Sequence, residues 1–427
     1  MLNIQGAMHP KTRRFRSQIG LAVAGGGPIG GIYELGALRA LDEAIEGLNM
    51  TRLDVYVGVS SGAFLAAGLA NGLTTADMCR MFITDDAPAH RFRPEMFLKP
   101  AFPEFFKRAM NAPRVLLDWF TNLATHPFQA RISESLGLLG GLVPTGLFDN
   151  NSVERFLREV MSSDGRSNDF RELPRKLYVV AVELDTGEAI RFGSPGFEHV
   201  PVSKAVQASS ALPGFYPPVE IDGRWYVDGA LRRTLHASVA LDEGVDLVLG
   251  INPLVPFDAA LARDHGRSVP NSLIAGGLPA VLSQSLRAML QSRMQVGLAK
   301  YGATYEHADL MVLEPEADDV DMFFTNVFSF ASRQTLGAHA FDTTLADLRV
   351  RREEIGEVLA RHKLKLRDEV LDNPELTLWS SLGVKAPRHT STTAQLRRTL
   401  DELGHVVEQR GGSTTGKGSG TQNPRSR

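Results

Sequence analysis

The chain has 427 residues, 43% of them hydrophobic and 22% charged, with a formal net charge of −3 at pH 7 and a sequence pI near 6.4. These proportions exclude a disordered or fibrous chain, and the mild acidity offers no basic face of the kind that nucleic-acid binding requires. The single cysteine, Cys79, excludes an internal disulfide, so nothing ties the fold to an oxidising compartment.

Residues 1–17 read as a flexible lead. Lys11, Arg13, Arg14 and Arg16 precede an apolar run in the manner of an export signal. That run, residues 19–24, is shorter than the ~7–15 residues a signal needs, and cleavage there would remove the first buried strand. Two longer apolar stretches, "LGLLGGLVPTGLF" and "LIAGGLPAVL", are broken by Gly and Pro and fall short of the ~18 residues of a membrane-spanning helix. The expectation is a cytoplasmic protein whose membrane contact is peripheral.

Residues 18–24 form a short apolar strand that runs into glycines. After them, Leu35, Leu38, Leu41 and Ile45 recur at helical spacing. The β-branched run at 55–59 leads through Ser60 into an Ala/Leu-rich helix, which repeats the strand–turn–helix pattern. Between 91 and 128 lie Phe92, Phe97, Phe102, Phe105, Phe106, Trp119, Phe120 and Phe128 among five prolines, which we read as a helical cap. Further on, "KLYVVAVELDTGEAIRFG" predicts a strand, a turn at 185–187 and an antiparallel return. "GVDLVLGINPL" and "ADLMVLEP" add two buried strands. Strands alternating with helices predict an α/β fold: a mostly parallel central sheet with helices on both faces. The organisation expected is a lead at 1–17, an α/β domain at 18–316 with a cap inserted at about 85–150, a C-terminal helical extension at 317–410 and a disordered tail at 411–427.

Two motifs carry chemistry. Gly25, Gly27 and Gly30 satisfy G-x-G-x-x-G, which is the spacing of a dinucleotide-binding turn and equally that of backbone amides aimed at an oxyanion. Gly58-Val59-Ser60-Ser61-Gly62 is a G-x-S-x-G element between a predicted strand and a predicted helix, the context of a nucleophile elbow. A Rossmann reading needs an acidic residue at the end of the second strand, and here that strand ends in the serine elbow. "GGSTTGKG" imitates a phosphate-binding loop, but Gly418 stands where Ser or Thr should be. For a base, the histidine candidates are His236, His265, His307 and His339, none in a turn that looks built to hold it. The carboxylate candidate is Asp228, in a turn with Gly229 and Ala230 that follows the strand-like "RWYV".

These pieces together resemble the patatin-like phospholipases: "GGGPIGG" opening a helix, the elbow "GVSSG", the stretch "ASSALPGFYPPVEIDGRWYVDGA" and the Asp-Gly turn within it, spanning residues 25–230. The resemblance implies a lipid acyl hydrolase with a Ser-Asp dyad, Ser60 the nucleophile and Asp228 the base. The amides of Gly25, Gly26 and Gly27 would then be the oxyanion hole, Gly58, Ser61 and Gly62 the elbow, and residues 208–218 a wall beside the site. It implies no cofactor and no metal, and a lipid or acyl-ester substrate; the aromatic and basic residues of 91–128 suit either a cap packed on its own core or a peripheral contact that gates or docks lipid. Oligomeric state is not implied. The chain departs from the family pattern in carrying Pro28-Ile29-Gly30 where many members have Arg or Lys after the triple glycine, in D-G-A for D-G-G, and in Thr234 and His236 for Asn and Pro. A non-catalytic lipid-binding protein on the same fold is the alternative, with a nucleotide-binding protein behind it.

Overall fold

The computed structural model describes residues 2–8, 16–84, 99–102, 143–163, 165–267, 273–325 and 330–386, with isolated positions 106, 110, 113 and 269. Most of the expected cap and the tail from 411 lie outside the described residues. In chain order the elements are β1 (Leu2–Gln5), β2 (Ile19–Val23), α1 (Gly27–Ala44), β3 (Ile45–Glu46), β4 (Val55–Gly58), α2 (Ser61–Ala70), α3 (Thr75–Cys79) and α4 (Asn151–Met161). Then come β5 (Lys176–Glu183), β6 (Ala189–Phe192), α5 (Val202–Ser209), β7 (Val219–Ile221), β8 (Arg224–Asp228), α6 (Ala237–Asp242), β9 (Leu247–Ile251), α7 (Ala259–Asp264) and α8 (Gly277–Thr304). The chain continues through β10 (Asp309–Leu313), α9 (Val320–Phe324), α10 (Phe330–Val350), α11 (Arg352–Arg361), β11 (Lys365–Leu366), α12 (Asp368–Leu371) and α13 (Leu378–Ser381).

The main sheet has nine strands in the order β1-β10-β9-β2-β4-β5-β8-β7, with β6 paired to β5. β10, β9, β2, β4 and β5 run parallel, while β1, β6, β7 and β8 are antiparallel. Alternation along each strand divides the core in two. Leu21, Val23, Tyr56, Leu249 and Ile251 face a cluster that holds α1, α2, α5 and α10. Ala22, Val55, Val57, Val180 and Val248 face the opposite cluster, against α6 and α8. Both faces of the parallel strands are therefore dry, which is why those strands read as continuous apolar runs.

The N-terminal lead departs from expectation. Leu2–Gln5 is an edge strand on β10, and the Ala7 amide donates to Asp309 Oδ1 at 2.8 Å, so this part of the lead is tied into the sheet rather than flexible. β10 is covered on one edge by a segment with too little periodicity to announce itself. "LIAGGLPAVL", read as broken by Gly and Pro, instead opens the 28-residue helix α8. Pro279 sits in its first turn, where a backbone N–H has no intrahelical acceptor and its loss costs little.

Candidate active site

Sheet register brings Ser60 and Asp228 together. Gly58, the last residue of β4, lies opposite Val179 on β5, and Asp228, the last residue of β8, lies opposite Ala181. β6 occupies the other edge of β5 at the same residues, so β4 and β8 run end to end along one edge, with Val180 in the gap between them. The two turns that leave those strands must meet. A Cβ on Gly229 would lie 2.2 Å from the Val180 carbonyl oxygen and 3.0 Å from Val59 Cγ1, which shows how close the Asp turn sits to the serine elbow.

Ser60 caps the N-terminus of α2 with φ 51° and ψ −121°. It is one of three non-glycine residues with positive φ among those described, a conformation that costs about 1–3 kcal/mol and persists only where its surroundings enforce it. Those surroundings are visible. The Val59 amide donates to Val23 O and the Gly62 amide to Ala24 O, both at 3.1 Å, which locks the elbow to the end of β2. The Ser60 amide donates to Ser209 Oγ at 2.9 Å, and Ser209 Oγ donates to Val180 O at 2.6 Å. Ser209, fully buried at the end of α5, thus satisfies both the strained residue and the carbonyl left in the gap between β4 and β8.

Asp228 is 3% exposed, and burial pushes its carboxyl up to about 6 against the opposing hydrogen bonds of the Ala230 amide and the Ser60 side chain. The Ala230 amide reaches Asp228 Oδ1 at 2.8 Å, and the Asp228 amide donates to Ala211 O at 3.0 Å. Ala230 is not among the positive-φ residues, so the D-G-A turn needs no third glycine. Ser60 and Asp228 are thus a buried hydroxyl–carboxylate pair, with the carboxyl poised near neutrality.

The glycine loop closes the third side. A Cβ on Gly25 would lie 2.9 Å from Ser60 Cβ and 3.2 Å from Ala230 Cβ, so only glycine lets the loop approach both turns. Gly26 precedes the first residue of α1, and Gly27 opens that helix with φ 62°. No hydrogen bond among the described residues uses the amides of Gly25, Gly26 or Gly27. The start of α1 therefore presents donors, as helix N-termini do.

The histidines do not join this pair. His236 caps α6, accepts no role toward Ser60, and hydrogen-bonds the Gly229 backbone. Burial pushes its pKa down to about 4, so it is a neutral support for the Asp turn. His265 pairs with Asp318 and His339 with Asp319, each at 2.7 Å. Asp319, Asp321 and His339 are the one group among the described residues with metal-ligand spacing, and they are engaged as ion pairs.

Two features had no separate signal in the sequence. Ser209 lies in "ASSALPG", where the motif marks a wall but not which hydroxyl holds the elbow. Glu34, on α1, is wholly buried, and neither its carboxylate oxygens nor the neighbouring Ser61 Oγ has a partner of hydrogen-bonding geometry. Burial raises Glu34 well above the usual carboxylate range; the nearby Ser61 side chain acts weakly in the other direction. Glu34 is thus an acid directly behind the elbow whose burial disfavours its charged form.

The sequence profile described as Patatin-like phospholipase matches residues 21–241, just over half of the chain and the whole of the site. The chain belongs to the patatin-like phospholipase family. Among curated relatives, this patatin-like chain is 28% identical over 229 residues to an uncharacterized NTE family protein of Mycobacterium tuberculosis, an alignment covering 52% of the chain and 28% of that relative. The chain thus spans under a third of that relative's length. Solved structures similar to it include VipD from Legionella pneumophila, at 13% identity and TM-score 0.30, covering 86% of this chain and 82% of that one. Human GIVD cytosolic phospholipase A2 in complex with methyl gamma-linolenyl fluorophosphonate matches at 14% identity and TM-score 0.33, covering 81% and 59%. Similarity at that level extends to no individual residue.

Proposed function

We propose that the protein is a lipid acyl hydrolase of the phospholipase A or lysophospholipase type, with Ser60 as nucleophile and Asp228 as base. The observation that carries this reading is a strained, buried serine at a strand–helix elbow whose hydroxyl meets a carboxylate of raised pKa. Family membership supports it. Asp228 takes the hydroxyl proton as Ser60 Oγ bonds to the ester carbonyl carbon. The ester C–O bond then breaks, the proton passes to the departing alcohol oxygen, and an acyl-Ser60 remains. Water attacks that acyl carbon, Asp228 receives the water proton, and as the Ser60–acyl bond breaks to release the fatty acid that proton passes to Ser60 Oγ, restoring the hydroxyl and the carboxylate.

In this reading the amides of Gly25, Gly26 and Gly27 hold the tetrahedral oxyanion, one such donor typically being worth ~3–4 kcal/mol of barrier. With Pro28 and Ile29 after the triple glycine, the stabilisation is carried by backbone dipoles, including those of α1 and α2, which both start at the site. The substrate is a carboxylic ester of lipid character, met by a cytoplasmic protein at a membrane surface. No helix among the described residues is long and apolar enough to cross a membrane.

Hydrolysis of a fluorogenic acyl ester tests the assignment. Ser60→Ala is expected to lower kcat on the order of 10³-fold or more with the fold intact. Turnover that persists in Ser60→Ala would remove the dyad. A wild type inactive on every lipid ester supplied would leave a lipid-binding scaffold on the same fold.

A further inference from the structure

α8 is apolar on both faces. At about 100° per residue, its inward side carries the buried Leu290, Met294, Leu298 and Tyr301, the last three in the core cluster beneath the sheet. Leu278, Val281, Leu282, Met289 and Val296 fall on the opposite side within an arc of about 100°, and Ile274 extends the same stripe one turn earlier. These six side chains are 44–78% exposed. Ser285 and Ser292 lie within the same arc, and Gln295 is exposed beside it. A helix on a solvated protein surface carries mainly polar and charged residues on its outer side, so a row of large exposed apolar side chains there marks a contact surface.

Charge selects that partner. Gly277–Thr304 contains Arg287, Arg293 and Lys300 but no Asp or Glu. Arg287 turns inward, its Nη1 donating to Pro253 O and Val255 O at 3.4 Å and its guanidinium lying 4.9 Å from the Phe323 ring. Arg293 and the exposed Lys300 are left along one flank of the stripe. An apolar face whose charged residues are all cations is complementary to an anionic lipid surface. It is a poor match for a second copy of itself, since a two-fold contact would set like charges against each other.

Position supports the same occupant. Arg293 Nη1 donates to Leu231 O at 3.4 Å, three residues beyond Asp228. Pro253, held by Arg287, is the residue a Cβ on Gly26 or Gly30 would strike, at 2.5 and 2.8 Å. The helix that bears the stripe therefore borders both the Asp turn and the glycine loop.

We infer that the exposed face of α8 docks the protein on an anionic lipid surface, with the site described above beside the contact. The location of the surface is read together with the hydrolase assignment, but the docking itself does not depend on Ser60 chemistry. The full chain and its Ser60→Ala variant, sedimented with phosphatidylcholine vesicles with and without phosphatidylglycerol, provide the test. Leu278→Ser combined with Leu282→Ser is expected to weaken partition onto the anionic vesicles about tenfold or more, in either background. Lys300→Glu is expected to remove the preference for anionic over zwitterionic vesicles. In the Ser60 background, both variants keep wild-type turnover of a short-chain, monomeric ester.

Unchanged partition in the double variant overturns the inference. So does a fall in its melting temperature, which would mean that another segment of this chain covers the stripe, or the dissociation by these substitutions of a dimer present in solution. Stripe-dependent vesicle binding in a protein with no esterase turnover would sustain the docking surface and overturn the hydrolase reading alone.

Discussion

In the proposed mechanism Asp228 is the base, and burial makes its carboxyl expensive to ionise. Its carboxyl titrates at about 6, so kcat/KM should rise with pH through about 6 and level off above it, as the unprotonated carboxylate becomes available. The same shift fixes a stability prediction. An acid whose folded pKa is raised is tolerated without cost below its unfolded value near 3.8 and destabilises progressively as pH rises from there to about 6. At 1.36 kcal/mol per unit the full effect is about 3 kcal/mol. Asp228→Asn should therefore be inactive yet melt higher than wild type at pH 8, the gap closing by pH 4; thermal melts at the two pH values check both signs. Glu34 obeys the same logic, so Glu34→Gln should also gain stability at neutral pH. Ser209→Ala tests the support of the elbow. It strands the Ser60 amide and the Val180 carbonyl, and should cost about 1–3 kcal/mol of stability and lower kcat more than it raises KM. Ser60 and Asp228 were legible because each sits in a motif with a local signature. Ser209 and Glu34 were not, since their roles arise from residues more than twenty positions away that meet only in three dimensions.

The strand–turn–helix units are where sequence and structure agree most closely, because apolar runs and helical spacing are properties of short windows. β2 with α1, β4 with α2, the β5–β6 hairpin, β9 and β10 all follow that pattern. The elements that escaped notice depend on partners elsewhere: β1 exists because β10 offers an open edge, and α8 keeps a proline because it falls in the first turn. Packing between elements is equally non-local. α1 crosses α10 where a Cβ on Gly36 would lie 2.4 Å from Gly337 O and 2.9 Å from Ala340 Cβ. Gly36→Ala must push the two helices apart, and a loss of roughly 1–3 kcal/mol in denaturant-induced unfolding is expected, with the pH dependence of turnover unchanged.

At the scale of the molecule, the region after residue 316 shares the core of the α/β sheet. Leu336, Phe341, Leu345, Leu348, Ile355 and Leu359 are buried in the same cluster as Leu21 and Leu38, and β11 pairs with β3. Leu348 at the end of α10 and Ile355 and Leu359 on α11 thus help to complete the main core. A chain ending at residue 316 should lose its cooperative thermal transition, because α1 would be stripped of its cover on one side. The central claim, that the elbow, the Asp turn and the glycine loop form one acyl-transfer site, is reached most directly by covalent chemistry. Reaction of the full chain with a fluorophosphonate ester, followed by intact-mass and peptide mapping, should give one adduct, on Ser60, that is absent from Ser60→Ala and strongly slowed in Asp228→Asn. An adduct on another serine, or labelling that survives Ser60→Ala, would contradict the account.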